Sequence, residues 1–347
     1  MGTRFANYQL TRATLMRFSI RLNNDLPAGD YPLLARAAEA AGFDQFWVSD
    51  DLFLRSGPVL LTAAALATGR IQIGTCIVNP YTLHPAEIAM MAATLDELSG
   101  GRFLLGLSSG AAEFLKWVGI TPEKPRTAVI ETIRALRRLF AGEAAATEGD
   151  FLQWTDEAYL RFKPLRPIPI YLGALSPGML QTIGVEADGG LPLLLPPEHY
   201  DTVLPLIRAG AESAGRALDD IDLAACVWVS ISDDRAAAED ALREKIAYYG
   251  HAMSPLIWAR MGVERADFAP IERAMMVERD PAKAKQMVTP TMLTIGLVGT
   301  PADVRPRLQR LVDQGVRHLS FGPPLGPDPL AAIEVIGREI LPHFRGR

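Results

Sequence analysis

The sequence predicts an α/β fold, a (β/α)8 barrel of the TIM-barrel type. Eight short, mostly apolar runs are typical of buried strands, and helical segments separate most of them. Residues 70–110 give the clearest example, because a strand, a helix and a second strand follow one another there. Each of these strands opens into a polar or glycine-containing loop. Ligands of parallel α/β proteins bind at such strand ends.

The first half of the chain alternates regularly between strands and helices. Residues 16–22 alternate in polarity, as a first strand does. Residues 31–41 are rich in Ala and Leu and stop at Gly42, which is typical of a helix with a C-terminal glycine. The further elements predicted here are strands at 45–48, 71–77 and 103–107 and helices at 58–68 and 85–98.

The second half continues the alternation. Residues 127–141 have apolar residues at helical spacing, and Ser176 is a suitable N-cap for a helix at 177–185. The other predicted elements are strands at 168–172, 189–195, 223–231 and 315–321 and helices at 200–214 and 302–314.

Two segments interrupt this alternation. Residues 148–162 combine Gly149 and Asp150 with aromatic residues, which predicts an inserted hairpin. Residues 248–292 are mostly helical, rich in Met and charged, which predicts an inserted lid over the top of the barrel. We therefore expect residues 1–347 to form a single domain that carries two insertions.

Composition excludes several classes of function. The net charge is −5 with dispersed basic residues, so no nucleic-acid partner is expected. The two cysteines, Cys76 and Cys226, lack metal-ligand spacing, and no metal site is predicted. The start of the chain lacks a signal-peptide pattern, and no apolar run reaches about 18 residues. We expect a cytoplasmic enzyme without a membrane partner.

Several short blocks occur in a characteristic order along the chain. They are AAGF at 40–43, FWVSD at 46–50, GTCIVNP at 74–80, HPA at 84–86, LDELSGGR at 95–102, LGLSSG at 105–110, PIYLGA at 169–174, ADG at 187–189 and GTP at 299–301. This ordered set resembles the bacterial-luciferase-like superfamily. It is most similar to the coenzyme F420-dependent branch, which includes methylenetetrahydromethanopterin reductases and F420-dependent alcohol and glucose-6-phosphate dehydrogenases.

The resemblance implies a flavin-type cofactor at the strand ends, coenzyme F420, with FMN as the alternative. It implies a cis peptide bond between Cys76 and Ile77 behind the cofactor ring; without it, Cys76 would be a small buried thiol. The implied cofactor contacts are Asp50, Cys76, Ile77, Asn79, Ser109, Gly110, Leu175, Ser176, Gly178 and Met179. A homodimer is implied as well.

One of these sites also has a physical argument of its own. The turn at 175–179 leads into a helix N-terminus, which offers free N–H groups and a positive dipole end to a phosphate. The alternative is an ordinary turn between a strand and a helix.

The catalytic groups of the relatives are not retained. The His of the sugar-phosphate dehydrogenases falls on Asp51, and the acidic residue of the fourth loop falls on Ala111. Asp51 and Glu113 are the remaining candidates for proton transfer. Repulsion from Asp50 could raise the pKa of Asp51, or Asp51 could pair with Arg55 or Arg21. Glu113 could equally be an exposed loop carboxylate.

Three functions remain open at this point. The first is hydride transfer between coenzyme F420 and a small organic substrate, with reduction favoured because the family His is absent. The second is an FMN-dependent monooxygenase of the same fold, and the third is a barrel that binds the cofactor without catalysis.

Overall fold

The structure is a computed structural model that describes residues 16–345. Its strands are β1 (Arg17–Leu22), β2 (Gln45–Val48), β3 (Gln72–Thr75), β4 (Phe103–Leu107), β5 (Thr147–Glu148), β6 (Gln153–Trp154), β7 (Ile170–Ala174), β8 (Gly189–Pro192), β9 (Asp222–Leu223), β10 (Ala225–Ile231), β11 (Leu297–Gly299) and β12 (His318–Leu325). Its helices are α1 (Asp30–Ala41), α2 (Gly57–Ala67), α3 (Pro85–Leu98), α4 (Ala112–Leu115), α5 (Pro125–Phe140), α6 (Pro177–Glu186), α7 (Pro197–Ser213), α8 (Arg235–Tyr249), α9 (Pro255–Met261), α10 (Arg265–Glu272), α11 (Pro281–Gln286), α12 (Pro290–Leu293), α13 (Pro301–Asp313), α14 (Pro329–Val335) and α15 (Leu341–Phe344).

A curled parallel sheet forms the centre of the fold. Its strand order is β11-β10-β12-β1-β2-β3-β4-β7-β8-β9. Beyond β8, the Leu195 N–H donates to the Cys226 carbonyl over 2.8 Å, and a parallel bridge pairs Leu193 with Cys226. These bonds connect the β8 side of the curled sheet with β10. The α/β class predicted from the sequence is confirmed.

The strand count and some bounds differ from the prediction. The sheet has ten strands rather than eight, because β9 and β11 add short pairs to it. β3 ends at Thr75. There the side-chain hydroxyl takes the place of backbone pairing with β4: it donates to the Gly106 carbonyl and accepts the Gly106 N–H, each over 2.9 Å. The last strand starts later than predicted because Gly315, at φ +97°, belongs to the turn after α13.

Two large apolar cores and a smaller cluster that includes Trp47, Leu104 and Tyr171 hold the elements together. The larger core lies between the sheet and its surrounding helices and includes Phe18, Phe46 and Phe103. A second core joins Trp228 of β10 to Leu242 of α8 and to apolar side chains of residues 253–295. The second core therefore packs the segment at 248–292 against one side of the sheet. Every helix within residues 16–345 is too short or too polar to cross a lipid bilayer.

The segment near residue 150 forms a small antiparallel pair, β5 with β6. Glu131 of α5 holds its turn, because the carboxylate accepts the backbone N–H groups of Asp150, Phe151 and Leu152 over 2.9–3.0 Å. The pair therefore lies beside α5.

His199 of α7 is buried, with 3% of its surface exposed, and its Nδ1 has no hydrogen-bond partner among residues 16–345. Burial, with a smaller contribution from the charge of Arg260, lowers the pKa of His199 from 6.5 to about 4. The unfolded chain therefore binds more protons between these values, and stability falls as the pH drops from about 6.5 to about 4.

We expect this single group to remove up to roughly 3 kcal/mol of stability across that interval. Urea unfolding of the wild type and of His199→Leu at pH 7.0, 5.5 and 4.5 measures the effect. The variant should show a shallower loss on acidification. The exposed His343→Gln serves as control and should keep the wild-type slope, and equal slopes for all three proteins would contradict the assignment.

Candidate active site

A cavity of about 330 Å³ opens at the carboxyl ends of the parallel strands. Residues that follow β1, β2, β3, β4 and β7 form most of its wall. Trp228 of β10 and two side chains of α8, Lys245 and Tyr249, form a further part of the wall. The cavity thus lies where the sequence predicts a ligand site.

Ten of the twelve candidate site residues named from the sequence line this cavity. They are Asp50, Asp51, Cys76, Ile77, Asn79, Ser109, Gly110, Leu175, Ser176 and Met179. Gly178 does not line it and lies in the first turn of α6. Glu113 lies outside the lining on α4, with its carboxylate 3.8 Å from the imidazole Nε2 of His251.

Asp50 and Asp51 lie at the beginning of the loop that follows β2. Asp50 accepts the Gly57 N–H at the start of α2 over 2.8 Å, and Asp51 accepts the Ser49 hydroxyl over 3.2 Å. Asp51 is exposed to solvent, but it lies in the cavity wall, where the surrounding protein partly desolvates its carboxyl group. This desolvation raises the pKa of Asp51, while the charge of Lys245 opposes the shift.

The cause of that shift differs from the one expected. Burial dominates at Asp51, and repulsion between the two carboxylates acts on Asp50, whose pKa is also raised chiefly by burial. Arg55 donates to the Asp25 carbonyl over 2.6 Å, and Arg21 donates to Ser320 and Val227. Arg55 and Arg21 are the ion-pair partners that the sequence offers for Asp51, and neither of them pairs with it.

Asn79 fixes the loop after β3. Its Oδ1 accepts the backbone N–H groups of Tyr81 and Thr82 over 3.1 and 3.0 Å. Gly110 packs against this amide: a Cβ on Gly110 would lie 3.2 Å from Asn79 Cγ, and its φ is +72°. Both the contact and the left-handed backbone therefore favour glycine at position 110.

Cys76 and Ile77 lie between the end of β3 and Asn79. Their peptide bond is cis, as the family resemblance implies. Burial raises the pKa of the Cys76 thiol to about 12, so the thiol stays neutral at pH 7. A Cβ on Gly173 of β7 would lie 3.0 Å from the Ile77 side chain, so the glycine leaves room for it. This wall of the cavity is neutral and largely apolar.

The start of α6 forms another side of the cavity. The Ser176 hydroxyl caps this helix by accepting the Met179 N–H over 3.4 Å. Pro177 occupies the first turn, where its missing N–H has no cost. The helix therefore presents its N-terminal end, with its positive partial charge, towards the cavity.

Sequence reasoning missed the α8 side of the cavity. Lys245 Nζ lies 5.4 Å from the ring centre of Trp228 and 5.1 Å from that of Tyr249, and it donates to Asn23 over 3.3 Å. Burial lowers the pKa of Lys245, and the charge of Asp51 opposes this shift. The sequence of α8 mixes positive and negative charges, which is typical of a solvent-exposed helix face, so it does not indicate that Lys245 lines a cavity.

Arg21 also faces the cavity, and a buried hydrogen-bonded chain holds it. Its Nε donates to Ser320 over 3.0 Å, and Ser320 accepts from Ser19 over 2.8 Å. Ser19 lies 2.8 Å from His318, whose other ring nitrogen lies 3.0 Å from Asp222. The inside of the sheet therefore fixes the position of a permanent cation at the inner end of the cavity.

This arrangement suits a planar, polar ligand. The neutral Cys76–Ile77 wall offers an apolar surface, while the α6 N-terminus and Arg21 offer positive charge. Asp51 and Lys245 bring a proton-holding carboxyl group and an amine to the same space. Such a site can bind an anionic cofactor and exchange protons with a substrate.

Residues 14–318 match the luciferase-like monooxygenase family. The chain belongs to this family.

Two enzymes are similar to this chain over almost its whole length. A 5,10-methylenetetrahydromethanopterin reductase of Methanolobus tindarius is 35% identical over 94% of this chain and 100% of its own length. An F420-dependent glucose-6-phosphate dehydrogenase of Nakamurella multipartita is 30% identical over 90% of this chain and 91% of its own.

Solved structures agree with this relationship. The coenzyme F420-dependent tetrahydromethanopterin reductase of Methanopyrus kandleri superimposes with a TM-score of 0.89 at 31% identity, covering 96% of this chain and 100% of its own. An F420-dependent secondary alcohol dehydrogenase shares the fold with a TM-score of 0.80. The curled sheet is thus that of the luciferase-like TIM-barrel family.

Proposed function

We propose that this protein is a coenzyme F420-dependent oxidoreductase that transfers a hydride between the deazaflavin and a small organic substrate, acting as a reductase. The observation that carries the proposal is 35% identity to a reductase over that relative's full length. The structural likeness to an F420-dependent reductase, with a TM-score of 0.89, supports it. The relatives include a methylenetetrahydromethanopterin reductase and a glucose-6-phosphate dehydrogenase, whose substrates differ, so an experiment has to identify the substrate of this protein.

The cavity residues fit the cofactor. Gly110 and Gly173 leave space that a Cβ would fill beside Asn79 and Ile77. Leu175, Ser176, Gly178 and Met179 would hold the phosphate at the start of α6, and Asp50 and Asn79 would meet the head group. Cys76, Ile77, Ser109 and Gly110 would surround the ring.

Bound coenzyme F420 would supply or accept the hydride. Asp51 would hold a proton at its carboxyl oxygen, because its raised pKa keeps the group protonated to higher pH than an ordinary aspartate. The charge of Lys245 would limit the rise in the pKa of Asp51. The aromatic rings of Trp228 and Tyr249 would exclude water from the Lys245 amine. Glu113, outside the cavity lining, has no part in this scheme.

The same proposal includes the finer architecture. We infer that the curled sheet is a (β/α)8 barrel, that residues 148–162 and 248–292 are insertions, and that residues 1–347 form one domain. The bridge between Leu193 and Cys226 supports barrel closure. The second apolar core supports a helical lid that packs on the barrel. A cytoplasmic location stays a prediction.

Titration with oxidised coenzyme F420 and, separately, with FMN tests the cofactor, followed by cofactor fluorescence. We expect F420 to bind in the micromolar range or tighter and FMN to bind at least tenfold more weakly. Gly110→Ala should weaken F420 binding at least tenfold, because the added methyl group displaces Asn79.

Gly119→Ala is the matched control, because Gly119 has φ +74° and open space around its Cα. It should keep wild-type affinity. Preference for FMN would assign the protein to the monooxygenase function instead. Tight F420 binding without turnover of any tested substrate would indicate a barrel that binds the cofactor without catalysis.

Asp51→Asn tests the proton donor. With reduced F420 and 5,10-methylenetetrahydromethanopterin as the first substrate, we expect kcat to fall by roughly 10²–10⁴-fold with little change in F420 affinity. The limb of the pH profile on which activity falls as Asp51 loses its proton should disappear. Asp156→Asn, an exposed aspartate near β6, is the control. An unchanged kcat in Asp51→Asn would remove this residue from the mechanism.

We also infer that the protein is a homodimer. Apolar side chains are exposed on the neighbouring helices α2 and α3, with 69% of Leu66 and 49% of Met90 accessible, and Val59 and Leu98 extend this surface. Such a surface is typical of an interface between copies.

Light scattering after size-exclusion chromatography measures the mass of the assembly. We expect a dimer for the wild type and for Leu330→Asp, which changes an exposed leucine on α14. Leu66→Asp should elute as a monomer, because it places a charge in the interface. A wild-type monomer at micromolar concentration would refute the inference.

A further inference from the structure

A cluster of potential metal ligands lies just outside the cavity lining. It contains Glu113 of α4, Glu272 at the end of α10, and His251 in the 3₁₀ turn Gly250–Ala252 that follows α8. One ligand atom from each residue lies within 4.8 Å of the other two. The three side chains come from separate segments, so the sequence alone gave no sign of the cluster.

His251 is the unusual member of this group. Only 4% of its surface is exposed, and its Nδ1 is buried without a hydrogen-bond partner among residues 16–345. Its Nε2 lies 3.8 Å from Glu113 Oε1, which is longer than a hydrogen bond. No hydrogen bond within residues 16–345 holds this buried imidazole, and the nitrogen that faces Glu113 is Nε2, which is therefore open to a ligand on the side of the carboxylates.

We propose that His251, Glu113 and Glu272 bind one divalent transition-metal ion of the Zn²⁺ type. Imidazole nitrogen and carboxylate oxygen are ligands that Zn²⁺ accepts, whereas Mg²⁺ and Ca²⁺ prefer oxygen alone. Two ligands at about 2.1 Å in a tetrahedral site lie roughly 3.4 Å apart. Small side-chain rotations therefore bring the present atoms to bonding distance, and a water molecule completes the fourth position.

Arg265 competes for one of the ligands. Its Nη2 lies 2.7 Å from Glu272 Oε2, which leaves the other carboxylate oxygen for the metal. The guanidinium charge opposes a cation nearby and reduces the affinity of the site. Removing this charge by Arg265→Gln therefore strengthens metal binding.

The metal would join two parts of the protein that border the cavity. Glu113 precedes Phe114, a cavity residue whose ring lies 6.0 Å from that of Tyr249. His251 and Glu272 belong to the segment at 248–292. The bound ion thus ties the loop after β4 to this segment and holds the cavity covered. This inference goes beyond the proposed redox function, and its test needs no cofactor.

Calorimetric titration of the EDTA-treated, full-length protein with ZnCl₂ tests the proposal. We expect saturable binding of one ion per chain and a concentration-dependent rise in Tm. Glu113→Gln and His251→Gln should each lower the affinity at least tenfold, and Arg265→Gln should raise it. His343→Gln and Glu143→Gln, both at exposed positions, control for adventitious surface binding and should behave as the wild type.

Hydrogen exchange with and without ZnCl₂ provides a second readout. The ion should slow exchange in residues 111–118 and 250–275 together, because it connects them. Since the side chain of Glu113 is 45% exposed, Glu113→Gln decides the matter if His251→Gln does not fold. Absence of stoichiometric binding, wild-type affinity in Glu113→Gln, or protection confined to one segment would each overturn the proposal.

Discussion

The inside of the sheet depends on the interactions of the carboxylate of Asp222, whose side chain is 13% exposed. The carboxylate accepts the Tyr171 hydroxyl and the Arg17 guanidinium, each over 2.6 Å, and lies 3.0 Å from His318. The pKa of Asp222 stays well below its ordinary value, because the interactions with His318 and Arg17 outweigh burial. One charge thus joins β9 to β7, β1 and β12. Removal of the carboxylate would leave its partners without a counter-charge, which would lower the free energy of unfolding.

The same network reaches the candidate site. His318, Ser19 and Ser320 connect Asp222 to Arg21, so the far end of the sheet and the inner end of the cavity share one line of hydrogen bonds. The mouth of the cavity is built differently, from loops and from α8. The position of Arg21 is therefore set by the core, whereas Asp51 and Lys245 depend on the segments that surround the opening.

Much of the fold and part of the site could be predicted from the sequence. The family resemblance implies that Asp50, Asn79 and Gly110 share one site, and they line one cavity because parallel, adjacent strands bring their following loops to the same edge. Lys245 could not be predicted, because the charged residues next to it resemble a solvated helix surface. The cluster around His251 was also beyond reach, since its members meet only through tertiary packing of short helices. The strands β9 and β11 are too short to give a periodic pattern.

β1, near the beginning of the described chain, pairs in parallel with β12, near its end. The first described strand lies beside the last, and the Arg345 guanidinium stacks over the Phe18 ring at 5.7 Å and bonds the Gly42 carbonyl. The beginning and the end of the described chain are therefore neighbours in space. A circularly permuted gene, with residues 16 and 345 joined by a short linker and new ends opened in an exposed loop, would encode the same set of contacts. What this architecture requires is that the same strands lie side by side, and the point in the chain at which translation starts is incidental to it.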